Sequence, residues 1–579
     1  MMKKQPHPLQ RFFPAWQWLQ SYHSTYFKSD TLAALIVIAM LVPQGMAYAM
    51  LAGLPPMMGL YASILPMIIY AMFGSSSTLS IGPVALISMM VFATLQPLFE
   101  VGSSAYIEAA CLLALMVGII STLLGVFRFG FLIQLVSHPV IQSFIIASAL
   151  LIALGQLKFL FNVPLDATNL PRLIESLWLH LPHSHSASLI FGCLAIAFLA
   201  GLPHLLKSKL MQSFFPKPDF LIRALPLVLV CLSIAFMSIF HLNPWGIQTV
   251  GEIPSGFPPL RLPDWTWDLV LQLLPGAVMI TMVSFIESLS IAQATAFQQR
   301  SQLNSNQELV ALGLANLSAG LSSAFPVTGS LSRTVVNADA GAKSPMAGVL
   351  SSLLIIVVSL YFTNFFQHLP LVILAATIMV SIWKLVDFKP FIETWRYSKI
   401  DGLAMWITFL GVLCLDISTG LILGVISTFI LLLWRISRPH MAIIGLVEGT
   451  QHFRNVYRHD VLTNPEIFSL RIDENLSFLN ANALKEFIID EVSQNTELKH
   501  VVMNCSSISS IDLSALEMLE EVNSELSKLG IQFHFSEVKG PVMDKLKNTL
   551  LLQHLNGKIY FSHFLAMQEL APETFKYGS

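Results

Sequence analysis

Two short runs carry hydroxyls, glycine, proline and an arginine in a chain that is otherwise mostly apolar. Residues 325–337, FPVTGSLSRTVVN, place Thr328, Gly329, Ser330, Ser332, Arg333 and Thr334 side by side. Residues 74–90, GSSSTLSIGPVALISMM, repeat the pattern: Ser, Thr and Gly first, then an apolar stretch. Each falls short of the about 20 apolar residues that a spanning helix needs. A helix that starts in mid-membrane exposes free N–H groups and the positive end of its dipole. Two such ends facing one another would make an anion site. Irregular backbone at that depth survives only where it lines a cavity or is buried in protein. Paired, interrupted segments in matching halves of a chain are the sequence mark of a transporter binding site. On this reading Ser330 and Ser332 cap the half-helix or donate to the anion. Gly329 lets the backbone approach, and Arg333 adds positive charge. The competing reading is a polar loop with an arginine that snorkels to the membrane edge.

Two further groups belong with these runs. Glu287, in MVSFIESLSIAQATA (282–296), lies inside an apolar helical pattern. A carboxylate there is costly and marks a functional position by default, with proton exchange as its natural chemistry. A structural ion pair with Arg333, or an inner-edge carboxylate near Arg300, is the alternative. Gln44 and Tyr48 are four residues apart, so they share one face of the first helix, just past Pro43. They could line a cavity or bond to a neighbouring helix.

The elements that must position these residues follow from composition. The chain has 579 residues, 54% hydrophobic and 11% charged, against roughly 25% charged in soluble domains. Apolar segments begin near 31, 57, 81, 106, 138, 188, 226, 269, 308, 330, 345, 369, 402 and 417, so about fourteen are expected. Lys207, Lys209, Lys217 and Arg223 share one loop. Lys384, Lys389, Arg396 and Lys399 share another, and Arg435 and Arg438 follow the last segment. The other side holds Lys158, Arg172 and Arg261. An even number of spans with both termini in the cytoplasm satisfies the positive-inside rule. The net charge of −2 gives no basic surface for nucleic acid. Cys111, Cys193, Cys231, Cys414 and Cys505 are too dispersed for a disulfide framework or a zinc site. No cofactor motif, P-loop or nucleophile elbow is present, so an enzyme is not expected. Beyond residue 440 short apolar runs alternate with amphipathic helical stretches, the pattern of a small α/β domain.

PQGMAYAMLAGLPPMMGLYAS, SIGPVALIS, FIESLSIAQA and TGSLSRTVVNADAGAKSPMAG together resemble the SulP family of anion transporters, which includes the sulfate permeases. The polar tail resembles a STAS domain. The resemblance implies a polytopic α-helical membrane protein with a 7+7 inverted repeat, core and gate domains, an elevator-type motion and a homodimer. The expected divisions are a cytoplasmic segment at 1–29 and a transmembrane domain at 30–437, with repeats about 30–240 and 268–437. A linker at 438–465 and a STAS domain at 466–575 follow. The resemblance places the substrate between half-helices three and ten, at Gln44, Tyr48, Val84, Leu331, Ser332 and Arg333. Val84 stands where animal members often carry an aromatic residue, a departure that would widen the pocket. Glu287 matches the acidic position linked to protons in proton-coupled members. Ile291 one turn on speaks against sodium. In SSIDLSALEML, Ser514 matches the position phosphorylated in anti-sigma-factor antagonists. Its default role is a helix N-cap.

The expected function is proton-coupled uptake of a small oxyanion, sulfate first, across a bacterial inner membrane. Bicarbonate or a C4-dicarboxylate on the same scaffold is the alternative. A membrane-anchored anion sensor signalling to a cytosolic partner through the STAS domain is the reading of another class.

Overall fold

The computed structural model describes residues 13–20, 22–131, 137–166, 169–206, 218–239, 246–251, 256–298, 303–383 and 386–575. Lys207, Lys209, Lys217, Arg300 and Lys384 lie outside them, as does the side chain of Arg223. The chain divides into two units, 1–428 and 429–579.

The first unit is helical. Each of the fourteen expected segments contains a helix. Among the described residues seven helices are long and apolar enough to cross a membrane, and Ala85–Leu95, Leu225–Ile239, Met346–Tyr361 and Leu371–Trp383 are shorter apolar helices. The first span, Ser24–Leu51, starts ahead of the expected residue 30 and carries Pro43 inside it. Pro43 has no N–H to give to the carbonyl four residues back, which loosens the helix next to Gln44. The second span is two pieces, Pro56–Tyr61 and Leu65–Phe73. It approaches the first so closely that a Cβ on Gly59 would collide with the Gly45 carbonyl oxygen. Small residues permit this contact in membranes, where packing rather than hydrophobicity drives association.

Two-residue strands interrupt the helices at the center. β1 (Ile81–Gly82) pairs antiparallel with β2 (Thr328–Gly329), with Ile81 opposite Gly329 and Gly82 opposite Thr328. From β1 the chain enters the half-helix Ala85–Leu95, and from β2 it enters the half-helix Leu331–Asp339. The antiparallel register sends the two helices away in opposite directions, so their N-terminal ends share one place.

The second unit is the α/β domain. Its sheet runs β4-β3-β5-β6-β7-β8, formed by Met441–Leu446 (β3), Phe453–Asn455 (β4), Ile467–Ile472 (β5), His500–Asn504 (β6), Gln532–Ser536 (β7) and Ile559–Tyr560 (β8). β5 through β8 are parallel, while β3 pairs antiparallel with both β4 and β5. Alternate residues of β5 face opposite cores. Phe468, Leu470 and Ile472 pack with the helices Ala481–Gln494 and Leu513–Lys528, and Ile467 packs toward Phe564, Met567 and Phe575. Burial on both faces explains why β5 reads as apolar without a clean alternation.

Residues 438–465, expected as a linker, instead contain β3 and β4. The polar stretch EGTQHFRNVYRHD conceals β4, a short edge strand that buries only Phe453.

Candidate functional site

The second half-helix is fixed to the approach of the first by four hydrogen bonds. The Ser330 amide donates to the Ser80 carbonyl at 2.9 Å, and the Ser80 amide donates to Thr334 Oγ1 at 3.0 Å. Arg333 Nη1 donates to the Pro83 carbonyl at 2.9 Å, and Asn337 Nδ2 donates to the Thr78 carbonyl at 2.9 Å. Gly82 sits at φ +151°, and a Cβ there would stand 3.2 Å from Arg333 Nη2. Glycine is therefore required by backbone conformation, and it also leaves room for the guanidinium.

The helix ends are open. Ser330 and Val84 are the N-cap residues of their half-helices, and neither side chain makes a capping bond. Among the described residues, no hydrogen bond engages the amides of Leu331, Ser332 or Arg333, or those of Ala85, Leu86 and Ile87. Unpaired first-turn amides and the dipole end together favour negative charge. Leu331 and Ser332 are exposed, Val84 is partly exposed, and the Ser330 and Ser332 hydroxyls lie 3.3 Å apart.

Arg333 is fully buried, and its Nε and Nη2 have no partner. It acts as a staple through Nη1 and contributes charge from behind the helix ends. That differs from an arginine snorkelling at a membrane edge. Gln44 is buried with an unpartnered Oε1, and Tyr48 is buried beside it on the same helix. This helix packs against both half-helices. Glu287, on the helix Trp267–Gln298, has a buried Oε2 with no partner. Tyr48, Glu287 and Arg333 lie close enough to interact electrostatically. No ion pair joins Glu287 to Arg333 among those of the described residues. The structure thus brings Tyr48, Glu287 and Arg333 near one another, with Arg333 in the first turn of the half-helix that Leu331 and Ser332 open, and keeps Gln44 one turn before Tyr48 on the same helix.

Ser514 belongs to the other unit. The N-cap of its helix is Asp512, whose side chain accepts from the Ala515 amide at 2.9 Å and from the Phe478 amide at 2.8 Å. Ser514 sits inside the first turn, exposed, so the expected capping role passes to Asp512. An aspartate two positions earlier supplies a stronger, charged acceptor.

Sequence reasoning missed two buried carboxylates. Asp30 accepts from Tyr22 Oη (3.2 Å), the Lys343 and Ser344 amides (2.7 and 3.4 Å) and Ser344 Oγ (2.7 Å). Glu308 accepts from Tyr70 Oη (2.7 Å), Ser75 N and Oγ (2.7 and 2.6 Å) and Ser76 N (3.1 Å). Asp30 holds the segment after the second half-helix, and Glu308 holds the segment before the first. A carboxylate opening an apolar run, as in SDTLAALIV and NQELVALGL, was the available signal.

Comparison with known proteins decides the family. The sulfate permease family model matches residues 27–408, and the STAS domain model matches residues 458–563. The chain belongs to the sulfate permease family. It is 35% identical over 562 residues to sulfate transporter 4.1, chloroplastic, of Arabidopsis thaliana, covering 95% of this chain and 81% of that protein. It is 29% identical to high affinity sulfate transporter 1 of Stylosanthes hamata, covering 98% and 87%. Its fold is similar to the murine solute carrier 26 family member A9 anion transporter in the inward-facing state, with TM-score 0.87, 23% identity and coverage of 97% and 94%. The transmembrane domain of a cyanobacterium bicarbonate transporter aligns with TM-score 0.58 and 20% identity, covering 70% of this chain and 98% of that one. This sulfate permease family member is an integral membrane transport protein with a C-terminal STAS domain.

Proposed function

We propose that this protein carries sulfate, or a closely related small oxyanion, into the cell together with protons. The observation that supports this reading most is the pair of half-helix N-termini with unpartnered amides, joined back to back through β1 and β2. The anion binds between them, held by amides near Val84 and Leu331 and by the Ser332 hydroxyl. Gln44 and Tyr48 line the site, and Arg333 supplies charge from behind. Sulfate transport by the plant relatives agrees with this site.

Glu287 is the proton carrier. Moving a divalent anion into a negative-inside cell opposes the potential by about 2.3 kcal/mol per charge per 100 mV. A proton taken up on Glu287 reduces the charge moved. Ile291, one turn on, offers no oxygen ligand for sodium. The body holding the two half-helices moves as a unit in an elevator-type cycle, within a homodimer in the bacterial inner membrane, both termini cytoplasmic. The STAS domain offers a docking face for a cytosolic partner, with Ser514 exposed for regulation.

The test is radiolabelled sulfate uptake into proteoliposomes, with and without an acid-outside pH gradient, in competition with bicarbonate, succinate and fumarate. Gradient-dependent uptake that resists the competitors is the expected result. Uptake of a carboxylate or bicarbonate instead of sulfate would keep the site and replace the substrate. Gradient-independent sulfate flux would remove the proton assignment.

A further inference from the structure

A chain of buried hydroxyls joins the helix that carries Glu287 to the strand that leads into the second half-helix. The Gly329 amide in β2 donates to Ser288 Oγ at 2.8 Å. Thr328 Oγ1 donates to the Ser284 carbonyl at 3.0 Å. Ser288 Oγ and Thr328 Oγ1 are 2.8 Å apart. Since Thr328 spends its proton on Ser284, the hydroxyl proton between them belongs to Ser288. The Ser288 and Thr328 hydroxyls then each accept one hydrogen bond and donate one, Ser284 contributes only its carbonyl, and all three residues are buried.

Two details separate this link from ordinary helix packing. A serine inside a helix usually turns its hydroxyl onto the carbonyl four residues back. For Ser288 that carbonyl is Ser284, which Thr328 takes, and Ser288 points across to β2 instead. The helix also offers Gly329 a side-chain acceptor at a position where a Cβ would lie 3.0 Å from Ser288 Oγ and 2.9 Å from Leu79 Cδ1, so glycine lets the strand come this close without displacing either side chain. Glu287 is the residue immediately before Ser288, and Leu331 begins the half-helix two residues after Gly329. The carboxylate and the open amides are therefore held at a fixed offset.

We propose that Ser288 and Thr328 are positioning residues that transmit the protonation state of Glu287 to the N-terminal end of the second half-helix. The proposal rests on the proton-coupled reading given above. Arg333 from the second half-helix and Tyr48 from the first span are the charged and titratable groups that face Glu287, so its protonation changes the forces on its own helix turn. The hydroxyl chain passes that displacement to Gly329 and from there to the amides of Leu331 and Ser332. Without the chain the anion still meets its amides, but the proton no longer reports to them.

The experiment compares wild type, Thr328→Val, Thr328→Ser and Ser288→Ala in the full chain. It records both the pH profile of sulfate uptake in proteoliposomes and equilibrium sulfate binding at fixed pH. Valine matches threonine in shape and removes only the hydroxyl. Thr328→Val is expected to reduce the stimulation of uptake by an acid-outside gradient by about fivefold or more, the lower range of typical coupling between two sites. Sulfate affinity at a single pH should stay near wild type. Thr328→Ser should restore the stimulation. Ser288→Ala breaks the same chain from the helix side and decides the matter if the valine variant fails to fold. Wild-type pH dependence in both Thr328→Val and Ser288→Ala would overturn this assignment and leave the proton reading standing. Wild-type protein with no pH dependence would overturn the proton reading, and this assignment with it.

Discussion

The membrane unit treats its buried carboxylates in two ways. Asp30 and Glu308 each receive four hydrogen bonds, two of them from backbone amides. Glu287, with Gln44 and Arg333 in the same region, keeps polar atoms that no protein group satisfies. The STAS domain resembles the first case. His563 lies between the Ser469 and Ser536 hydroxyls at 2.7 and 2.6 Å, and His534 accepts from the Lys558 amide at 3.0 Å. A buried polar group that is fully met contributes to fold stability. One left unmet costs free energy unless a substrate or a proton completes it. Among these three carboxylates the contrast separates braces from site without reference to any relative.

The largest expected effect breaks a brace. Glu308→Ala leaves the Ser75 and Ser76 amides and the Tyr70 hydroxyl without their acceptor. It should destabilise the protein by about 3 kcal/mol or more, since bonds to charged groups are each worth about 1.5–3 kcal/mol. The apparent melting midpoint in detergent is the measurement. A wild-type midpoint would erase the distinction drawn here.

Glu287→Gln should behave in the opposite way. Among the described residues it makes no hydrogen bond, so the midpoint should stay near wild type while gradient-driven uptake disappears. Sulfate binding should remain measurable. A large loss of stability with normal coupling would move Glu287 into the class of braces.

The STAS domain gives a pH test. Burial pushes the His563 imidazole down to about 3, and burial with neighbouring His500 pushes His534 down to about 4, both from the ordinary 6.5. His500 and Lys558 disfavour a charge on His534, and Glu569 favours it. The unfolded chain therefore binds protons between pH 6.5 and these lower values while the folded domain does not. Stability is complete above about pH 6.5, falls progressively as pH drops from there toward 4 and 3, and the loss is complete below those values. Tryptophan is absent from residues 438–579, so far-ultraviolet circular dichroism with denaturant at pH 7 and pH 5 is the suitable readout. Equal denaturant midpoints at the two pH values would contradict the burial of neutral imidazoles.

The smallest effect sharpens the site itself. Ser332→Ala removes one hydroxyl at the open helix end and should weaken sulfate binding about tenfold, the equivalent of one good bond to an anion. Ser514→Ala, on an exposed turn where Asp512 already caps the helix, should leave flux in purified protein unchanged. Normal binding by the Ser332 variant would relocate the anion.

Much of this was legible in the sequence, for a physical reason. The bilayer punishes polar residues so heavily that Glu287, Arg333 and the two interrupted runs stand out locally. The braces did not stand out. Asp30 meets Lys343 across 313 positions and Glu308 meets Ser75 across 233, and no local pattern carries those partners. The edge strand β4 was hidden because a short edge strand need not alternate strongly, and the cap at Asp512 had to be told from Ser514 by geometry.

Local apolar content therefore determined the helical segments, and the breaks in it determined where the two half-helices start. Tertiary structure alone decided which polar atoms are met and which are left open. Satisfying a buried group takes a partner at hydrogen-bond distance, and only the folded chain brings together residues hundreds of positions apart.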